Sequence, residues 1–138
     1  MPESKRELLE ATAQALGMRW SHDPEITHDG LWIVSPMIYT CWDPLTKDQD
    51  AFFLMVKLRI SVMPYPIYTP DKHSVVAKRH RSADMMRKMN PTEVVEIYGT
   101  NPAAATRRAI VRCAAAIWEA SREASREASR EGLRHGEI

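Results

Sequence analysis

Two histidine–aspartate pairs, His22-Asp23 and His28-Asp29, stand six residues apart in one polar stretch, and they are where this chain could most readily do chemistry. Imidazole nitrogens and carboxylate oxygens together would suit a divalent transition metal, and a metal-dependent enzyme follows if the two pairs converge with other carboxylates. The plainer reading makes Asp23 and Asp29 turn formers, set directly before Pro24 and Gly30. A second group of carboxylates, Asp43, Asp48 and Asp50, invites comparison with a calcium loop. That loop needs a central glycine and a terminal bidentate glutamate, and neither stands at the matching positions. Turn and capping roles account for all three aspartates. No GxSxG, HExxH, P-loop or GxGxxG occurs, and five glycines leave little material for such loops. The sequence therefore assigns no catalytic residue, no metal ligand and no cofactor.

The strongest charge feature is basic. Between residues 78 and 90 stand Lys78, Arg79, Arg81, Arg87 and Lys88 against Asp84 alone, a local balance of +4. Arg107, Arg108 and Arg112 follow on a later segment. Residues 20–50 are the opposite, with six acidic residues and one lysine, a balance of −5. The basic segment could contact a nucleic-acid backbone through phosphate. Against this, it holds no aromatic residue to stack on bases, and Met85, Met86 and Met89 take that place. The alternative is a solvated loop partly paired with the acidic half of the same molecule.

These residues must be positioned by a small framework. At 138 residues with a formal charge of +1, 44% hydrophobic and 27% charged, the chain reads as one soluble domain with a real core. No run approaches the roughly 18 apolar residues of a membrane span, and MPESKRELLEA has no apolar signal region. The expectation is a cytoplasmic protein with no membrane partner. Cys41 and Cys113 form no CxxC pair and read as small buried apolar residues. Trp20, Trp32, Trp42 and Trp118 read as core anchors in a domain with only two phenylalanines.

Helix and strand signals follow in order. Ser4-Lys5-Arg6-Glu7 is a capping box opening a helix over 4–16, with Leu8, Leu9, Ala13 and Leu16 on one stripe, Thr12 its one polar member, and Gly17 as terminator. Leu31–Val34 predicts a short strand. Thr46-Lys47-Asp48-Gln49 is a second capping box, and Ala51, Leu54, Met55 and Leu58 form the inward stripe of its helix. Ile60–Met63 predicts a strand stopped by Pro64 and Pro66, with further strands at Val75–Ala77 and Val94–Tyr98. Asn101 caps a long helix with Pro102 at its first position. Ile110, Val111, Ala114, Ile117 and Trp118 line one face of it, and Arg108, Arg112 and Glu119 the other.

From Glu119 the sequence reads EASR three times, then Glu131. Glu119–Arg122, Glu123–Arg126 and Glu127–Arg130 are i,i+3 pairs worth about 0.2–0.5 kcal/mol each, offset by like charges at i+4. The expected boundaries are a domain over 1–119 and a solvated tail over 120–138, helical but frayed before Gly132. The fold class expected is α+β: an antiparallel sheet of three to four strands layered between helices, an α-β-α sandwich, with a long C-terminal helix.

Two blocks carry a resemblance. Trp42-Asp43-Pro44-Leu45 with Asp48, Asp50-Ala51 and Val56-Lys57-Leu58 is the first. Asn101-Pro102-Ala103-Ala104-Ala105-Thr106-Arg107-Arg108-Ala109-Ile110-Val111-Arg112 is the second. Together with Ala15-Leu16-Gly17 near the start, they resemble the phage ABA sandwich domain, a family of small phage and prophage proteins. The segment from Lys78 to Thr92 and the EASR tail depart from that pattern. The resemblance implies a helix–sheet–helix fold and a phage origin. It brings no established activity and so no catalytic residue. The resulting expectation is an accessory protein of a phage or prophage, a non-catalytic interaction module whose partner is a phage or host protein. Nucleic-acid binding through Lys78, Arg79, Arg81, Arg87 and Lys88 is the first alternative, and a metal-dependent enzyme the second.

Overall fold

The computed structural model describes residues 4–20, 31–34, 39–65, 73–79 and 92–135. His22, His28, Arg81, Arg87 and Lys88 lie outside the described residues. In chain order the elements are α1 (Lys5–Ala15), β1 (Leu31–Val34), β2 (Tyr39–Trp42), α2 (Asp48–Leu58), β3 (Ser61–Tyr65), β4 (Ser74–Arg79), β5 (Thr92–Ile97) and α3 (Pro102–His135). The fold is α+β, with a three-stranded antiparallel sheet and a long C-terminal helix.

Helix α1 opens as expected. The Ser4 hydroxyl accepts the Glu7 backbone N–H at 3.1 Å and satisfies one of the free donors of the first turn. It closes at Gly17, whose φ of 71° is left-handed and lets Gly17 and Met18 N–H bond back to Gln14 and Ala13 carbonyls. Helix α2 ends with the same bond pattern, Arg59 to Val56 and Ile60 to Met55, but there Arg59 takes the positive φ of 55°. The second capping box is not formed. Helix α2 begins at Asp48 after Lys47, with no side-chain cap, because Thr46 is held in a turn whose Thr46 and Lys47 N–H groups both bond to the Asp43 carbonyl.

Strand β2 was not foreseen; it pairs antiparallel with β1 as a separate two-stranded ribbon, Leu31 opposite Trp42. Pro64 does not end β3 but lies within it, opposite Val75. This is tolerated because β3 is an edge strand, so a missing N–H costs no ladder bond on its free side. Strands β3, β4 and β5 follow one another as a meander.

The alternation of the sheet sorts its side chains. Val62, Ala77 and Val94 share one row across the three strands and are buried or half-buried. Met63 and Val95, from the neighbouring row, are more than half exposed, as is Ile97 on that same face. The buried face receives α3, which packs on β4 and β5, and α1 and α2 pack in turn on α3. Leu9, Ala13, Leu54, Val75, Ala77, Ala109, Val111, Cys113 and Ala114 fill the core between these elements.

Two expectations for α3 need correction. Trp118 is half-buried and stands outside the core cluster, because the stripe that meets the sheet and helices runs through Ala109, Ile110, Cys113, Ala114 and Ile117. The EASR segment does not fray before Gly132: α3 is one continuous helix to His135, and residues 121–132 are exposed along it. Of the other tryptophans, Trp42 is buried and Trp20 packs partly against the core.

Candidate functional site

The carboxylate group Asp43, Asp48 and Asp50 is engaged in holding elements together. Thr12 Oγ1 donates to the Leu9 carbonyl at 2.7 Å and accepts the Trp42 indole N–H at 2.9 Å, which joins α1 to β2 through a fully buried pair of bonds. Buried Asp43 takes the Lys5 ammonium at 3.0 Å, while its backbone N–H donates to Asp50 Oδ2 at 2.9 Å. Arg107 of α3 donates to the Leu45 carbonyl at 2.8 Å and to Asp48 Oδ1 at 2.6 Å. The three aspartates are therefore spent on the junction of α1, the β2–α2 turn, α2 and α3. Among the described residues no group of three or more His, Cys, Asp or Glu side chains converges to hold a metal.

The basic residues of α3 are likewise committed. Arg108 and Arg112, one turn apart, both reach Glu96 on β5, whose carboxylate is nearly buried beneath them. With Arg107 held by Asp48, none of the three adds a free cation to a phosphate-binding surface. Lys78 and Arg79 close β4 and are half-buried, and Lys78 stands opposite Glu93 in the ladder. Arg79 stands opposite Thr92, whose carbonyl lies by Cys113 of α3.

Cys113 is fully buried on α3, with its thiol donating weakly toward the Thr92 carbonyl at 3.9 Å. Burial pushes its pKa up to about 11, against a smaller opposing pull from Arg79, so the thiolate that would act as a nucleophile is disfavoured. Cys41 is half-buried and also a free thiol.

The described residues also form a groove. It runs between α1, β5 and α3 with a volume of about 850 Å³. Leu8 and Ala11 form one wall, Ala115, Ala116 and Trp118 the other, and Val94 lies at the strand end. Each position follows from local structure. Leu8 and Ala11 are one turn apart on α1, and Ala115 and Trp118 one turn apart on α3, so each helix presents a short apolar ridge. Four carboxylates edge the groove, Glu7 and Glu10 from α1, Glu93 from β5 and Glu119 from α3, against Arg112 and Arg122. Sequence reading missed this site. Its signal was present in Trp118, a large side chain at the margin of the helix stripe, beside two alanines too small to cover it.

The fold and the groove define a small α+β domain with an apolar, acid-rimmed surface channel. Compared with known proteins, the chain matches no family model, no curated protein and no solved structure. Among the described residues no helix is long and apolar enough to cross a membrane.

Proposed function

We infer that this chain is a non-catalytic protein-interaction module, an accessory protein of phage or prophage origin that acts in the cytoplasm of a bacterial host on a phage or host protein. The observation that carries the interaction reading is the groove, a channel of about 850 Å³ between α1, β5 and α3 with half-buried Ala11, Val94, Ala116 and Trp118 along it. Apolar surface left in water costs roughly 25 cal/mol per Å², so a partner that covers these walls gains that amount back. Half-buried Trp118 is of the type that most often anchors an interface.

Support for the phage origin comes from the two blocks that resemble the phage ABA sandwich domain. Arg107 of the second block bonds directly to Leu45 and Asp48 of the first. Residues distant in sequence thus form one junction, as a fold signature would. Flanking replication, lysis or host-takeover genes around the coding sequence test the origin.

The interaction reading is tested by filling the groove. Ala116 is half-buried on its wall and outside the core cluster, so Ala116→Trp fills the channel. A host-lysate partner retained by the wild-type protein and lost by a folded Ala116→Trp variant is the expected result. Equal capture by both would remove the groove from the function.

A further inference from the structure

Resting on that reading of the groove, we propose that its partner is a basic amphipathic α-helix. Three observations select this occupant. The first is length: the α3 wall extends from Arg112 to Arg122, which at 1.5 Å per residue is about 15 Å, or nearly three helical turns. A helix laid in such a channel would place anchors at i, i+4 and i+7 along it.

The second is the wall composition. Ala11 and Ala116 are small, so a second helix can approach closely, while Trp118 provides the bulk against which its anchors pack.

The third is charge. Arg122 is held by Glu119 at 3.3 Å, and Arg112 is drawn onto Glu96, so neither cation is free to receive an incoming carboxylate. Glu10 is met by Arg6 from the same helix, but Glu7 has no side-chain ion pair among the described residues. An arriving lysine or arginine therefore finds the Glu7 carboxylate at the edge of the channel, and an arriving glutamate finds no free cation there. A second copy of this chain does not supply such a helix through its exposed half of α3. Between Glu119 and Gly132 that half has no apolar side chain larger than alanine and carries four Glu against three Arg.

The test uses two fluorescein-labelled helical peptides of about 18 residues, both with leucine at i, i+4 and i+7, one flanked by lysine and one by glutamate. Fluorescence anisotropy measures binding to the full chain, and circular dichroism confirms that each variant is folded. The lysine peptide should bind at least about tenfold more tightly than the glutamate peptide at low salt, with the gap narrowing as salt is raised. Ala116→Trp should abolish the binding. Glu7→Lys, a surface change that leaves the core intact, should weaken the lysine peptide about tenfold.

Equal binding of both peptides, lost in Ala116→Trp, would overturn the basic partner while leaving an interaction groove in place. Lysine-peptide binding that survives Ala116→Trp would place it elsewhere and overturn the proposal. So would no binding of either peptide, or a dimer by sedimentation velocity that Ala116→Trp dissociates, which would make a second copy the occupant. In those last cases lysate capture by the wild type and not by Ala116→Trp still decides the broader reading separately.

Discussion

The two halves of α3 obey the same local rules and meet different fates. From Ala105 to Ile117 the helix buries Ala109, Ile110, Val111, Cys113, Ala114 and Ala115 against the sheet and the other helices. From Ser121 to Gly132 it buries nothing. Backbone hydrogen bonding is alike in both, so the difference lies in what the side chains offer. Full burial of an isoleucine or valine contributes about 1.5–3 kcal/mol, whereas an exposed ion pair such as Glu119–Arg122 contributes about 0.2–0.5 kcal/mol. The front half is therefore held by the fold and the rear half only by its own propensity. Trp118 marks the boundary, outside the core cluster and along the groove.

That contrast breaks most visibly in the front half. Ile110→Ala should cost about 2–5 kcal/mol by chemical denaturation, because the side chain is 5% exposed and leaves a cavity. A cost below 1 kcal/mol would mean that α3 is not packed on the sheet through this face. Next in size is the α1–β2 bond pair. Thr12→Val keeps the shape but leaves the buried Trp42 indole N–H without its acceptor, for a loss of about 1–3 kcal/mol. An unchanged unfolding midpoint would show that Trp42 turns to another partner.

The helix start is a smaller effect. Asn101 Oδ1 accepts the Ala104 N–H at 3.0 Å, so Asn101→Ala should cost about 1 kcal/mol, and Asn101→Asp should recover most of it. Equal stability of all three proteins would move the cap elsewhere.

A further change appears only at alkaline pH. Cys113 has its pKa raised from 9.0 to about 11 in the folded protein. The folded state holds the thiol proton more tightly than the unfolded state does, so this contribution is complete below pH 9 and is lost as pH rises toward 11. Denaturation midpoints across that window should fall more steeply for wild type than for Cys113→Ala. Parallel profiles would mean the thiol is not desolvated as its burial indicates.

The smallest effect is expected in the rear half. Removing residues 121–138 should shift stability by no more than about 0.5 kcal/mol and leave the oligomeric state by light scattering unchanged. A loss of several degrees in Tm would tie the EASR repeat to folding or association and erase the contrast.

Much of the fold was legible where a local signal stood alone. The Ser4 cap, the Gly17 terminator, the Asn101 cap and the helical stripes of α1, α2 and α3 all depend on neighbours within a turn or two. Legibility failed where a local signal had a distant competitor. Thr46 looks like a helix cap, yet the Asp43 carbonyl claims the turn around it. Arg59 occupies a left-handed position that sequence reading assigns to glycine. Pro64 reads as a stop, and only the edge position of β3 makes it harmless.

The candidate site divides in the same way. The sequence by itself determined which residues are polar, small or aromatic, and where each helix turns its faces, because those properties follow from side-chain chemistry and a 3.6-residue period. Tertiary structure alone decided that Asp43, Asp48, Asp50 and Arg107 are structural ties, since their partners lie on elements that only folding brings within hydrogen-bond reach. It also decided that Leu8, Val94 and Trp118 line one open channel. A groove is the space left between elements, and its existence depends on how closely α1 and α3 approach, a distance set by the alanines and core side chains between them.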